Sequence, residues 1–70
     1  MFIKIISRSE AVAVLLRGET LWSMTTGESW ELDLSCPTWQ SKRAVRRFLA
    51  KEQKLCYAYN YPTHQWAVKR

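Results

Sequence analysis

Apolar and polar positions alternate along this chain in short runs of two different periods. "MFIKII" opens as a β-rich run, with Ile3 and Ile5 pointing one way and Phe2 and Lys4 the other. In "SRSEAVAVLLRG", Ser7 and Glu10 have capping-box spacing, where a hydroxyl and a carboxylate satisfy free N–H groups at a helix start. Gly18 follows the apolar run where a helix favours a left-handed residue. These signals predict a helix. The rival is a strand, because "AVAVLL" has no clean period and carries two valines.

The next segment, "ETLWSMTTGESWELDL", reads as a hairpin. Its turn lies at "TTGE", where Gly27 can take a positive φ without steric cost. "SWELDL" alternates strictly, placing Trp30, Leu32 and Leu34 inward and Glu31 and Asp33 outward. "SCPTWQ" breaks the pattern, and Pro37 suits a first helical position because its missing N–H needs no partner there. A helix follows. At 3.6 residues per turn, Val45, Phe48, Leu49 and Glu52 share one stripe with Ala44 at its edge. Lys42, Arg43, Arg46, Arg47, Lys51 and Lys54 fill the remaining arc.

The last segment, "KLCYAYNYPTHQWAVKR", reads as a strand with Leu55, Tyr57, Tyr59 and Tyr61 on one face and Cys56, Ala58 and Asn60 on the other. "NYPT" is a turn signal that holds Pro62, and "QWAVK" returns as a short extra strand. The expected order is β-α-β-β-α-β with that C-terminal addition. The fold class is α+β: one domain over residues 1–70, a single antiparallel sheet with both helices on one face. A strand at "AVAVLL" would instead give a meander capped by one helix.

Composition narrows the class. Near half of the 70 residues are hydrophobic and about a quarter are charged, ordinary globular values that argue against disorder. A chain this short hides only roughly 60% of the surface its unfolded form exposes, so a partner or a second copy would add to a small core. "FIKIIS" is too short to span a bilayer or to serve as a signal core, and the expected address is the cytoplasm. Cys36 and Cys56, twenty residues apart, are expected as free thiols in the core. Burial is the commoner expectation for the four tryptophans, with Trp22 joining Trp30 inside and exposure left open for Trp39 and Trp66.

Charge changes the picture most. The net charge is +5, but residues 1–35 carry three basic and five acidic side chains, whereas residues 36–70 carry eight basic and one acidic. Solvated helix faces usually mix signs, because oppositely charged neighbours support the helix. The arc from Lys42 to Lys54 holds six cations and no acid. Like charges at this density repel, a cost that an anionic partner would offset, and arginine forks suit phosphate or carboxylate. Tyr57, Tyr59 and Tyr61 offer stacking platforms for unpaired bases or anchors for a protein partner if the open face of the sheet carries them, and the reverse assignment of faces buries the rings in the core.

Catalytic chemistry has little support. His64 is the only histidine, and with two distant cysteines it lacks structural-zinc spacing, so no metal and no cofactor is expected. A toxin-like ribonuclease using His64 and Tyr57 or Tyr59 would need acid–base groups and cations, but no signature marks one.

The stretch "AVRRFLAKEQKLC", residues 44–56, in a basic α+β chain of this size resembles the small inhibitors made by bacteriophages and mobile elements, some anti-CRISPR proteins among them. The likeness is one of general build and assigns no role to any residue. It implies a non-enzymatic inhibitor of a bacterial nucleoprotein complex. The expectation is therefore a small basic binding protein. Its site residues are Lys42, Arg43, Arg46, Arg47, Lys51, Lys54, Tyr57, Tyr59 and Tyr61. Its partner is nucleic acid, a nucleoprotein complex or an acidic protein surface.

Overall fold

β1 (Ile3–Ile5), α1 (Arg8–Leu16), β2 (Leu21–Ser23), β3 (Ser29–Trp30), a 3₁₀ turn (Pro37–Gln40), α2 (Lys42–Ala58) and β4 (Trp66–Lys69) follow one another in a computed structural model that describes residues 3–69. Phe2, expected beside Lys4, lies outside the described residues. The strands form one sheet in the order β1-β4-β2-β3, with every neighbouring pair antiparallel. The molecule is a slab with extents of 32 × 30 × 17 Å, thin enough for only two layers, a sheet and the helices on it.

Local chemistry sets the helix ends. Ser7 caps α1 by accepting the Glu10 N–H at 3.2 Å. At the other end Gly18 takes φ +78°, the Glu19 N–H reaches back to the Val14 carbonyl, and the Gly18 N–H bonds Leu15. That pair of bonds closes a Schellman motif. α1 is helical despite its lack of period because both of its sides are covered: Ala11, Val12, Val14 and Leu15 are buried between the sheet and α2.

The structure corrects five expectations, the last of them at Cys36. The run Leu55–Ala58 is the last turn of α2, not a strand, so Tyr57, Tyr59 and Tyr61 form no row on a sheet. Cys56 continues the buried stripe of Val45, Leu49 and Gln53, and that helical period outweighs the alternation of tyrosines. The stop is a second Schellman motif, in which Asn60 adopts φ +60°, the Tyr61 N–H bonds the Cys56 carbonyl at 2.8 Å, and the Asn60 N–H bonds Tyr57. "NYP" is thus a helix terminator, with Pro62 just beyond it. The expected order of elements stands, but its final strand is "WAVK", which lies inside the sheet between β1 and β2 rather than as an addition.

The second correction concerns β3, which pairs over two residues only. Leu32 and Leu34 keep their half-buried alternation, but β2 begins at Leu21, so the chain beyond Trp30 has no paired strand opposite it. Third, Pro37 opens the separate 3₁₀ turn, and α2 is capped by Ser41, whose Oγ accepts the Arg43 N–H at 3.2 Å. Fourth, Trp22 does not join the core. Residues opposite each other in an antiparallel pair share a face, and Trp22 stands opposite Ala67, which stands opposite Ile5.

The covered face carries Ile6, Leu21, Trp30, Trp66 and Val68, which meet Leu15 of α1 and Val45 and Leu49 of α2. The bare face carries Ile3, Ile5 and Trp22, with Ile3 and Ile5 51% and 52% exposed. The Lys69 ammonium sits 3.5 Å from the centre of the Trp22 ring, a cation–π contact that partly covers it. Both cysteines are free thiols. Cys56 is buried as expected, whereas Cys36 is only half-buried at the head of the 3₁₀ turn.

Candidate functional site

α2 runs about 25 Å, at 1.5 Å per residue. Its buried stripe fixes the rotation of the whole helix, so the opposite arc must face water. Lys42, Arg43, Arg46, Arg47, Lys51 and Lys54 are all exposed there. Among the described residues the ion pair present is Arg17–Glu19, on another element, and no carboxylate comes within pairing distance of the six cations. The first turn of α2 holds no acidic residue. A helix start carries partial positive charge from its free N–H groups, so Lys42 and Arg43 add to a potential already positive. The arrangement opposes helix stability and favours an anion.

Two open grooves flank the ridge made by Arg43 and Arg47. One, of about 620 Å³, is lined by Lys42, Arg43, Arg46, Arg47, Ala50 and, from the start of α1, Arg8. Arg8 is a member of the cationic face that the sequence reading passed over, since it is distant in the chain and only the packing of α1 on α2 delivers it. The other groove, of about 440 Å³, lies between the 3₁₀ turn and α2. Trp39, Phe48 and Ala44 give it an apolar floor, and Arg43, Arg47 and Lys51 stand on one side.

The three tyrosines are exposed by 61%, 72% and 50%, but they are split. Tyr57 projects from α2 within the cationic arc, and its phenol lies 3.3 Å from the Thr63 hydroxyl. That hydrogen bond lowers the phenol's pKa from its ordinary value. Tyr59 and Tyr61, around the helix stop, line a small cleft of about 140 Å³ with Glu28, Glu52 and His64.

His64 is a buried structural node that no spacing in the sequence announced. Its Nδ1 lies 2.6 Å from Ser23 Oγ, and its Nε2 lies 2.9 Å from Cys56 Sγ and 3.3 Å from the Glu52 carbonyl oxygen. A carbonyl can only accept, so in the neutral ring Nε2 carries the hydrogen and the Ser23 hydroxyl donates to Nδ1. The His64 N–H donates to Gln53 Oε1, and Ser23 Oγ accepts the Thr26 N–H. The ring stacks on Trp66 at 4.5 Å and meets the edge of Trp30. The ring thereby ties β2 to the end of α2, and Ser23 joins the hairpin loop to it. Burial pushes the Cys56 thiol above its ordinary pKa, and the charges of Glu28 and Glu52 push it further the same way, which leaves it a poor nucleophile.

Among the described residues no group of three His, Cys, Asp or Glu side chains is placed to hold a metal ion, and no helix is long and apolar enough to cross a membrane. The fold and the site define a small α+β domain with one cationic face. No protein-family model, curated protein or solved structure matches the chain.

Proposed function

We propose that this is a non-enzymatic binding protein whose cationic helix docks on nucleic acid, either free or exposed in a larger nucleoprotein complex. The observation that carries the reading is the set of seven cations, Arg8 with the six of α2, gathered on one side with no carboxylate in pairing range among the described residues. Phosphate is the anion that such a surface fits best, because arginine forks bind it bidentately and a row of cations can track a backbone. Both ring nitrogens of His64 are engaged inside the fold, which supports binding rather than acid–base catalysis. Inhibition of a bacterial nucleoprotein machine, as the resemblance to phage inhibitors implies, would use the same face.

Titration of labelled nucleic acid at several salt concentrations tests the reading. Five or six phosphate contacts on a duplex would give a slope of about −5 in log K against log salt. Absence of binding to duplex and single strand alike at low salt would refute it.

A protein partner is favoured by a different observation, the bare sheet face of Ile3, Ile5 and Trp22 with the exposed Met24 beside it. Capture of a bacterial protein that survives nuclease treatment, and is lost on Ile5→Asp, is the outcome this reading expects.

A further inference from the structure

We propose that the groove between the 3₁₀ turn and α2 receives an unpaired nucleic-acid base, with the phosphates on either side of it held by Arg43, Arg47 and Lys51. The helix then selects single strands over duplexes. This deepens the nucleic-acid reading above and rests on it.

The cations decide the sign of the occupant. Arg43, Arg47 and Lys51 stand at four-residue intervals, so their Cα atoms climb the helix in steps of about 6 Å on one ridge. None has a carboxylate in pairing range among the described residues. A linear anion lying along α2 therefore meets one positive charge after another.

The floor decides what else the occupant must offer. Trp39 and Phe48 are both half-buried and meet edge to face at 5.5 Å. They end a continuous series of ring contacts that passes from Phe48 to Trp30 at 6.3 Å and from Trp30 to Trp66 at 5.6 Å. Core rings thus back the floor, and it is presented without prior rearrangement. Duplex bases are stacked and paired, so they present phosphates to this ridge and nothing to the rings. A base turned out of a single strand presents a flat apolar face attached to two phosphates, and both parts of the site are then used. A volume of about 440 Å³ is the scale of a pocket for one small ligand, not of a groove that seats a peptide helix.

The test compares a labelled 20-mer of deoxythymidine, a duplex of equal length and poly-glutamate, each titrated against the full chain at low salt. The single strand should bind at least tenfold tighter than the duplex. Trp39→Leu should remove that excess, a loss of about 10- to 100-fold, while duplex affinity stays unchanged. Trp39 also packs on the core, so Ala44→Met is the second variant. It fills the groove without altering charge and with little loss of helix propensity, and should act in the same way with a nearly unchanged melting temperature. Equal affinity for single strand and duplex, indifferent to both substitutions, overturns the base groove and leaves the cationic-helix reading standing. Poly-glutamate binding as tightly as the single strand, with the same loss in Ala44→Met, overturns it in favour of an acidic peptide. No binding to any nucleic acid overturns both readings together.

Discussion

Replacing Arg43, Arg46 and Arg47 together by Gln should make the protein more stable and less able to bind. At three- and four-residue spacing the three arginines take part in four like-charge neighbour pairs on α2: Lys42–Arg46, Arg43–Arg46, Arg43–Arg47 and Arg47–Lys51. Each such pair costs a helix about 0.2–0.5 kcal/mol. A cation in the first turn, as Arg43 is, opposes the helix dipole by a further ~0.3–1 kcal/mol. All three side chains are exposed, so solvent screening trims these amounts, and Gln gives back little in helix propensity. The net expectation is a gain of about 1 kcal/mol, which in a domain of this size raises the melting temperature by roughly 4–8 °C. Added salt should raise the wild-type melting temperature more than the variant's, because it screens a repulsion that the variant no longer has. On a duplex the salt slope should fall by about 3, and affinity should fall at least tenfold. Thermal melts and salt-dependent titrations on one preparation measure both quantities. A melting temperature well below wild type would mean that the arginines are paired within the fold. Unchanged binding with an unchanged slope would mean that this arc is not the contact surface.

The remaining expectations concern groups whose environment the fold defines. His64→Ala removes a buried ring together with its bonds to Ser23 and Cys56, and should cost about 3–5 kcal/mol in denaturant unfolding; a loss below about 1 kcal/mol would show that the node is dispensable. Asn60→Ala keeps a Cβ at φ +60° without the asparagine side chain's local compensation and should cost about 1 kcal/mol, whereas Asn60→Gly should be neutral or better, so that equal stability of the two would argue against the Schellman stop. Asp33 accepts from the Ser35 hydroxyl at 2.6 Å and from its N–H at 3.1 Å, which holds the carboxyl below its ordinary value of 3.8. Its contribution to stability is therefore present above that value and lost as pH falls through the lower folded pKa. An NMR titration should place the Asp33 midpoint below 3.8, and Ser35→Ala should move it back up.

The cationic face is an arrangement that works against its own helix. Relief of the repulsion is available from any mixed-sign pattern, yet the one acid on α2, Glu52, is turned to the half-buried side, away from the cations. On the proposed reading a bound anion would release the stored repulsion, so the charges that weaken the free helix would strengthen a complex.

Much of the architecture is written in short-range patterns. The Ser7–Glu10 cap, the Gly18 stop, the Gly27 turn and the apolar stripe of Val45, Phe48 and Leu49 each depend on residues within a turn or two of one another, so the chain alone specifies them. The acid-free arc of α2 is equally local: once the stripe is buried, the cations have nowhere to go but water. Where α2 ends was written too, in Asn60 and Pro62, but the alternating tyrosines offered a competing strand. Only the burial of Cys56 against His64 resolves the two, because a period of two and a period of 3.6 agree over so few residues. Partners distant in the chain have no local signature at all. Strand pairing placed β4 inside the sheet and turned Trp22 to the bare face. The packing of α1 on α2 brought Arg8 to the cationic side, and the closing of residues 63–65 over the hairpin loop joined His64 to Ser23, forty-one residues away. Each of these depends on which surfaces exclude water together, and that is a property of the assembled layers rather than of any segment.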